Sequence, residues 1–244
     1  MLIVGIAGLV IEIEHRYPYL EKHCTAYKTD GTPDFTVTVT EKMVESEKQN
    51  AVEFPAGADD GYFESLAAIR EIAHRLPAYG AFLFHAAVIE YKGQAIAFTA
   101  PSGTGKSTHI KNWKRAFGAD VGIVNGDKPV LRFGEDGTLY AYGTPWSGKE
   151  GWSRNVGLPL RAVVFLERGR ENKIVPLSPA DAAIPVMNQI LLESDPETVA
   201  ATLSLADKML GRVGLYRLAC TPDVGSAVVA KRGIFGEYDG ITPS

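Results

Sequence analysis

Cysteine is almost absent from this chain of 244 residues: Cys24 and Cys220 stand far apart, with no C-x-x-C partner. That spacing indicates neither a disulfide framework nor a zinc cluster, and both residues read as small buried apolar side chains rather than functional thiols. Excess positive charge is also missing, since 25 Lys and Arg against 29 Asp and Glu give a net charge of −4. No overall basic field exists to gather nucleic acid or acidic lipid, so any phosphate site must be local. Nor does any apolar run approach the roughly 20 residues that span a bilayer. The opening MLIVGIAGLVIEIE lacks a basic leader and meets Glu12 and Glu14 almost at once, so it reads as a strand and not as a signal peptide. These absences predict a cytoplasmic protein with no nucleic-acid or membrane partner. Repeats, heptads and low-complexity segments are lacking too. What remains is an ordinary globular composition, 45% apolar and 22% charged, sufficient for one sizeable core or two small ones.

Residues 2–54 are β-like: LVIEIE and FTVTVT alternate, and TDGTPD between them is turn chemistry. The expected division is a β-rich region over 1–58 and an α/β domain over 59–244, or one continuous domain. A helix follows Asp60, with Phe63, Leu66, Ala67, Ala73 and Leu76 near one face and Pro77 as its stop. Residues 82–88 and 94–99 read as two strands around the turn EYKG. Strands are expected at 121–124, 129–133, 139–142, 161–166 and 215–218. Ser178-Pro179 and Asp195-Pro196 read as helix starts, each a capping side chain before proline, with Pro185 interrupting the first helix. Thr221-Pro222-Asp223 reads as a last helix start.

The strand at 94–99 runs into FTAPSGTGKST, residues 98–108, and a helix with Ile110, Trp113 and Phe117 at helical spacing follows. Strand, glycine loop and helix are the context of a phosphate loop of the form G-x-x-x-x-G-K-[ST], except that Ala100 replaces the first glycine. The stretch from Ser102 through Gly103, Thr104, Gly105, Lys106 and Ser107 to Thr108 is the candidate nucleotide cradle. Gly103 and Gly105 permit close approach, Lys106 reaches the β and γ phosphates, and Ser107 offers a hydroxyl to magnesium. Pro101 pushes Ala100 towards extended backbone, which makes its methyl group tolerable if φ stays negative. The bland alternative is a glycine-rich turn at a strand–helix junction.

A second constellation is VNGDKPV at 124–130, where Asp127, expected at the end of a strand next to the loop strand, can bind magnesium or orient the attacking group. Its alternative is a turn aspartate. His85, inside an apolar strand, reads by itself as a satisfied core residue. GTPWSGKEGWSRN at 143–155 resembles a mobile active-site loop, with Lys149 and Arg154 as candidates to neutralise phosphoryl charge or as solvated loop charges, and Glu150 as a weaker metal ligand.

The run FHAAVIEYKGQAIAFTAPSGTGKSTHIKNW together with VNGDKPV resembles the catalytic domain of HPr kinase/phosphorylase and, more distantly, the nucleotide core of ATP-dependent phosphoenolpyruvate carboxykinase. The resemblance covers about a third of the chain. It implies an α/β fold with a mixed β-sheet P-loop core of that type, preceded by the β-rich N-terminal region. It also implies a phosphotransferase that uses ATP and Mg2+ on a hydroxyl-bearing acceptor, either a serine of a peptide or protein or a small metabolite. Carried over by residue, His85 and Lys106 become catalytic, and Asp127 becomes the base or a metal-associated carboxylate. Where the family has two adjacent acidic residues, this chain has Gly126-Asp127. The family's glycine- and arginine-rich segment is not found, so the chain looks more like stand-alone relatives than an enzyme acting on HPr. A non-catalytic nucleotide-binding regulator and a carboxykinase-like enzyme are the alternatives, and assembly into a homo-oligomer stays open.

Overall fold

A computed structural model describes residues 1–51, 55–101, 103–192 and 195–236. The N-terminus is a hairpin of β1 (Leu2–Ile6) and β2 (Leu9–Glu14), turning at Ala7-Gly8, where both residues take positive φ. A short helix α1 (Tyr19–His23) follows, then β3 (Phe35–Thr38), which lies parallel to β2. The alternating FTVTVT does not run on as strand. Thr40 takes extended backbone and its hydroxyl accepts the Met43 N–H, which starts helix α2 (Glu41–Asn50). The region read as β-rich thus contains two helices, and residues 52–54 of that reading lie outside the described residues. Helix α3 (Asp60–Arg75) is capped by Asp59, and a single turn of 3-10 helix carries the chain past Pro77 to Gly80.

The expected single strand at 82–88 is two. β4 (Ala81–Leu83) pairs with one part of the sheet and β5 (Ala87–Tyr91) with another. Between them the amides of Phe84, His85 and Ala86 donate to Pro129 O, Gln189 O and Asp127 O. His85 therefore sits in a break, not within a strand. The apolar run FLFHAAV carries no turn residue to announce this, because the break is a change of strand partners. A two-residue turn at Lys92-Gly93, both at positive φ, joins β5 to β6 (Gln94–Thr99). Helix α4 (Lys106–Phe117) then leads to β7 (Val121–Asn125), β8 (Val130–Phe133) and β9 (Leu139–Tyr142).

The long β10 (Gly157–Arg168) joins the sheet together. Its first residues pair antiparallel with β9, and the rest lies parallel to β6 on one side and to the last strand on the other. After it come β11 (Lys173–Pro176), α5 (Pro179–Met187), α6 (Pro196–Leu210), β12 (Gly214–Cys220) and α7 (Gly225–Phe235). Ser178 and Asp195 cap α5 and α6 as the sequence predicts. Helix α5 nevertheless runs through Pro185 instead of breaking there, forgoing one hydrogen bond near its end. Helix α7 begins two residues beyond Asp223.

The result is mixed α/β. A nine-stranded sheet has the order β4-β8-β9-β10-β6-β5-β7, with β12 on β10 and β11 on β12, and β1-β2-β3 forms a separate small sheet. Helices cover both faces of the large sheet. Ile110 and Trp113 of α4 pack with Ala227 and Ile234 of α7 on Ile96, Phe98 and Val164, while Val186 of α5 and Met209 of α6 pack on Val88 and Val163. A third cluster joins the small sheet to α3, Leu83, Val130 and Trp146. Because β6, β10 and β12 are parallel, their C-terminal ends open at one edge, the place where such sheets bind ligands. No described helix is long and apolar enough to cross a membrane.

Candidate functional site

The glycine loop leaves the end of β6 at that edge. Ala100 is 3% exposed and packs in the core, and its φ is not positive, since the described non-glycine residues with positive φ are Ala7 and Lys92. The left-handed turns fall at Gly103 (φ 75°) and Gly105 (φ 117°), each with open space where a Cβ would stand. Ser102 lies outside the described residues. Thr104 closes a tight turn through its N–H to Pro101 O, at 3.2 Å. Gly105 is the N-cap of α4 and supplies no side-chain cap, whereas α2, α3, α5 and α6 are capped by Thr40, Asp59, Ser178 and Asp195. The first-turn amides of α4, including those of Ser107 and Thr108, are thus offered at the positive end of a twelve-residue helix. This donor set fits an anionic phosphate group.

Lys106 opens that helix. Its ammonium donates to Ala100 O at 3.0 Å and lies 3.1 Å from His85 Nε2. Burial pushes it below the usual lysine value, with the Asp127 charge opposing this and Lys128 adding to it. His85 Nε2 is in turn 3.2 Å from Asp127 Oδ1. One ring nitrogen cannot serve both neighbours. As a donor it bonds Asp127 and as an acceptor it bonds Lys106, so the proton on Nε2 depends on where Lys106 goes. His85 itself is fixed by its backbone, through its N–H to Gln189 O and its carbonyl to the Thr99 hydroxyl.

Asp127 lies two residues past the end of β7. Asp127 does follow the end of a strand as the sequence predicts, but that strand pairs with β5 and not with the loop strand β6. It is brought in through Ala86, whose N–H donates to Asp127 O. The turn carrying it is built by Asn125, which is fully buried. Asn125 Oδ1 accepts the N–H groups of Asp127 and Lys128, both at 2.8 Å, and its amide donates to Thr144 O. Burial alone would raise the Asp127 carboxyl, but the His85 hydrogen bond and the Lys128 ammonium outweigh it and hold the group below the usual carboxylate range. Asp127 Oδ2 bonds Lys128 Nζ. As hard oxygen donors, the Asp127 carboxylate and the Ser107 hydroxyl suit magnesium.

The position where a second acidic residue would stand is closed. A Cβ on Gly126 would lie 2.4 Å from Ser147 O, a backbone atom. The 143–155 segment, whose composition suggested a mobile loop, is bonded to the aspartate turn and to α3. Gly126 and Lys128 donate to Trp152 O and Trp146 O, and the Trp146 indole donates to Ser65 O of α3. Glu150 pairs with Lys111 of α4 at 3.2 Å. Lys149 is exposed beside Gly148, itself exposed, where an added Cβ would meet the Asp127 Cβ at 3.0 Å. Arg154 is elsewhere: it pairs with Glu90 and bonds Ile123 O, near the end of β5 remote from the glycine loop.

The structure therefore gathers Lys106, His85 and Asp127, and leaves Arg154 outside. It adds three residues that the sequence reading did not single out. Lys128 and Asn125 flank Asp127 in a stretch already recognised as a turn, and an asparagine two residues before an aspartate is the signal of such a cradle. Arg168, at the end of β10, donates to Gly103 O at 2.9 Å. Nothing in its local sequence marks it, because the contact depends on β10 lying beside β6.

No curated protein matches the chain. Among solved structures, the HPr(Ser) kinase/phosphatase from Coxiella burnetii aligns at 10% identity with a TM-score of 0.36, over 63% of this chain and 97% of that one. A family profile described as SynChlorMet cassette protein ScmC matches residues 61–221, which takes in the glycine loop, the Asn125–Lys128 turn and the segment that clamps it. The chain thus belongs to the ScmC family of SynChlorMet cassette proteins.

Proposed function

We propose that this protein is an ATP- and Mg2+-dependent kinase that transfers the γ-phosphoryl to a hydroxyl, either a serine of a peptide or protein or a small hydroxylated metabolite. One observation carries the reading: a glycine loop opening an uncapped helix sets Lys106 one histidine away from a held carboxylate, Asp127. On this reading the chain has a P-loop core over residues 59–244, and residues 1–58 cover it.

The amides of the loop and of the first turn of α4 would hold the phosphates, and Ser107 and Asp127 would hold magnesium. Bound MgATP supplies the phosphoryl group and offsets its charge. Lys106 moves from Ala100 O and His85 to phosphate oxygens. His85 Nε2–H is then free to donate to Asp127 Oδ1 alone, which orients the carboxylate. Asp127 takes the proton of the attacking hydroxyl as the new O–P bond forms and the bond to the leaving phosphate breaks. Positioning and charge do most of the work in such a transfer.

Lys106→Ala is expected to cost at least about 100-fold in γ-phosphate transfer. Unchanged turnover would sink the assignment. A second reading, a nucleotide-binding regulator without catalysis, draws on the engagement of both Asp127 oxygens and the closed Gly126 position. Asp127→Asn separates the two: a kinase loses turnover and keeps its nucleotide, while a regulator shows no turnover to lose.

A further inference from the structure

Three positively chargeable side chains surround a single carboxylate at this site, and they approach it from two sides. Lys106 reaches His85, and His85 reaches Oδ1 of Asp127. Lys128 takes the other oxygen, Oδ2. If the glycine loop holds the phosphoryl donor, Lys106 and Oδ1 mark the donor side, and Lys128 stands at the oxygen left for the acceptor.

Lys128 also has a fixed main chain and a part-exposed tip. Its N–H is shared between Asn125 Oδ1 and Trp146 O, and its carbonyl accepts the Thr144 hydroxyl at 2.7 Å. The main chain is therefore held on both sides, while the side chain is only half-buried. A second carboxylate that would engage the ammonium permanently is barred at Gly126 by Ser147 O. A neutral hydroxyl compound offers Lys128 no charge to match the Asp127 carboxylate, and the ammonium stays on Oδ2, the atom needed to receive the hydroxyl hydrogen. An acceptor bearing its own anion draws Lys128 away and exposes Oδ2 in the same step.

Building on the kinase reading, we propose that Lys128 selects the acceptor: the phosphorylated hydroxyl carries a carboxylate within a few bonds, and Lys128 binds that carboxylate. Two sources present this chemistry, a free hydroxy acid and a serine beside an acidic residue in a peptide. As a compact point charge on a flexible stem, lysine suits this role. A charged partner recognised this way rejects its neutral analogue because the cation is then left competing for the catalytic carboxylate.

The test uses the full chain saturated with Mg2+ and the non-hydrolysable analogue AMP-PNP, whose own binding is measured first. Ligand-observed NMR then titrates two matched pairs, N-acetylserine against N-acetylserinamide, and acetyl-Ser-Asp-amide against acetyl-Ser-Asn-amide. The charged member of one pair is expected to bind at least tenfold more tightly, and the pair showing the preference names the source. Lys128→Met should erase the preference and Lys128→Arg should keep most of it, with AMP-PNP affinity within about twofold in both. Equal binding within both pairs overturns the proposal, and so does a preference that survives Lys128→Met. A tenfold loss of AMP-PNP affinity in Lys128→Met also overturns it, by assigning Lys128 to the donor phosphate. If wild type fails to bind AMP-PNP, the kinase reading falls, an outcome visible before any acceptor is added.

Discussion

At the start of α4 the backbone amides have no capping side chain and the turns run through two glycines, whereas beyond β7 the amides of Gly126, Asp127 and Lys128 are all bonded. Trp152 O, Asn125 Oδ1 and Trp146 O take these three donors, and Ala86 and Thr144 hold the carbonyls of Asp127 and Lys128. The first turn of α4 keeps amides with no side-chain cap, while the aspartate turn is fully bonded within the chain. On the proposed kinase reading, a half that grips a charged, flexible phosphate chain would gain from adaptable donors. A half that must aim one carboxylate gains from being rigid in advance.

If the aspartate turn owes its rigidity to Asn125, removing that side chain should do the greatest harm. Asn125→Ala orphans the Asp127 N–H, and leaves the Lys128 N–H to Trp146 O alone and the Thr144 carbonyl to the Ser153 hydroxyl alone. A loss of about 3 kcal/mol is expected in urea unfolding, together with a fall in turnover larger than any change in nucleotide affinity. An equal loss of nucleotide affinity would erase the contrast between the halves. Gly126→Asp, which writes the missing second carboxylate back into the chain, comes next. Its Cβ meets Ser147 O, so about 3 kcal/mol of stability should be lost with no gain in activity. A stable, more active variant would show that the clamp yields easily.

The loop half rests on a firmer base than its open amides suggest. His109, one turn into α4, is buried, accepts the Trp113 indole N–H at 3.0 Å and meets Ser226 of α7 at 3.3 Å. Burial pushes its imidazole down to about 3. The unfolded chain takes up this proton near pH 6.5 while the folded chain refuses it, so stability falls as pH drops through that value and continues to fall towards 3. His23, also lowered by burial, contributes in the same direction. Between pH 7 and 5 the urea-derived stability should drop by roughly 2 kcal/mol through His109, with His23 adding to the fall. In His109→Gln the drop should shrink by about that 2 kcal/mol, and an unchanged slope would show that α4 is not anchored there.

The loop half was the more legible in the sequence, because its signals are local. The strand 94–99, the two glycines and the amphipathic helix are written in consecutive residues, and the structure has them in that order. The caps Ser178 and Asp195 were readable for the same reason. The aspartate half depends on partners far along the chain: Trp146, Trp152 and the break at His85 are set by strand pairing, which periodicity does not encode. Helix α2 was hidden by a threonine that ends one alternating run and caps the next element. Arg168 was invisible until β10 was placed beside β6.

The smallest effect is expected where the phosphate-loop pattern is broken. If the loop turns at Gly103 and Gly105 alone, then Ala100→Gly restores the full glycine pattern and gains nothing in nucleotide affinity. The Ala100 methyl group is packed in the core beneath α4, and its backbone needs no glycine. Removing that methyl group and adding backbone freedom should cost about 1 kcal/mol in urea unfolding. Nucleotide affinity should stay within about twofold. A tenfold gain would mean that the first position of the loop shapes the cradle, and that the open half of the site is tuned by a residue the structure places in the core.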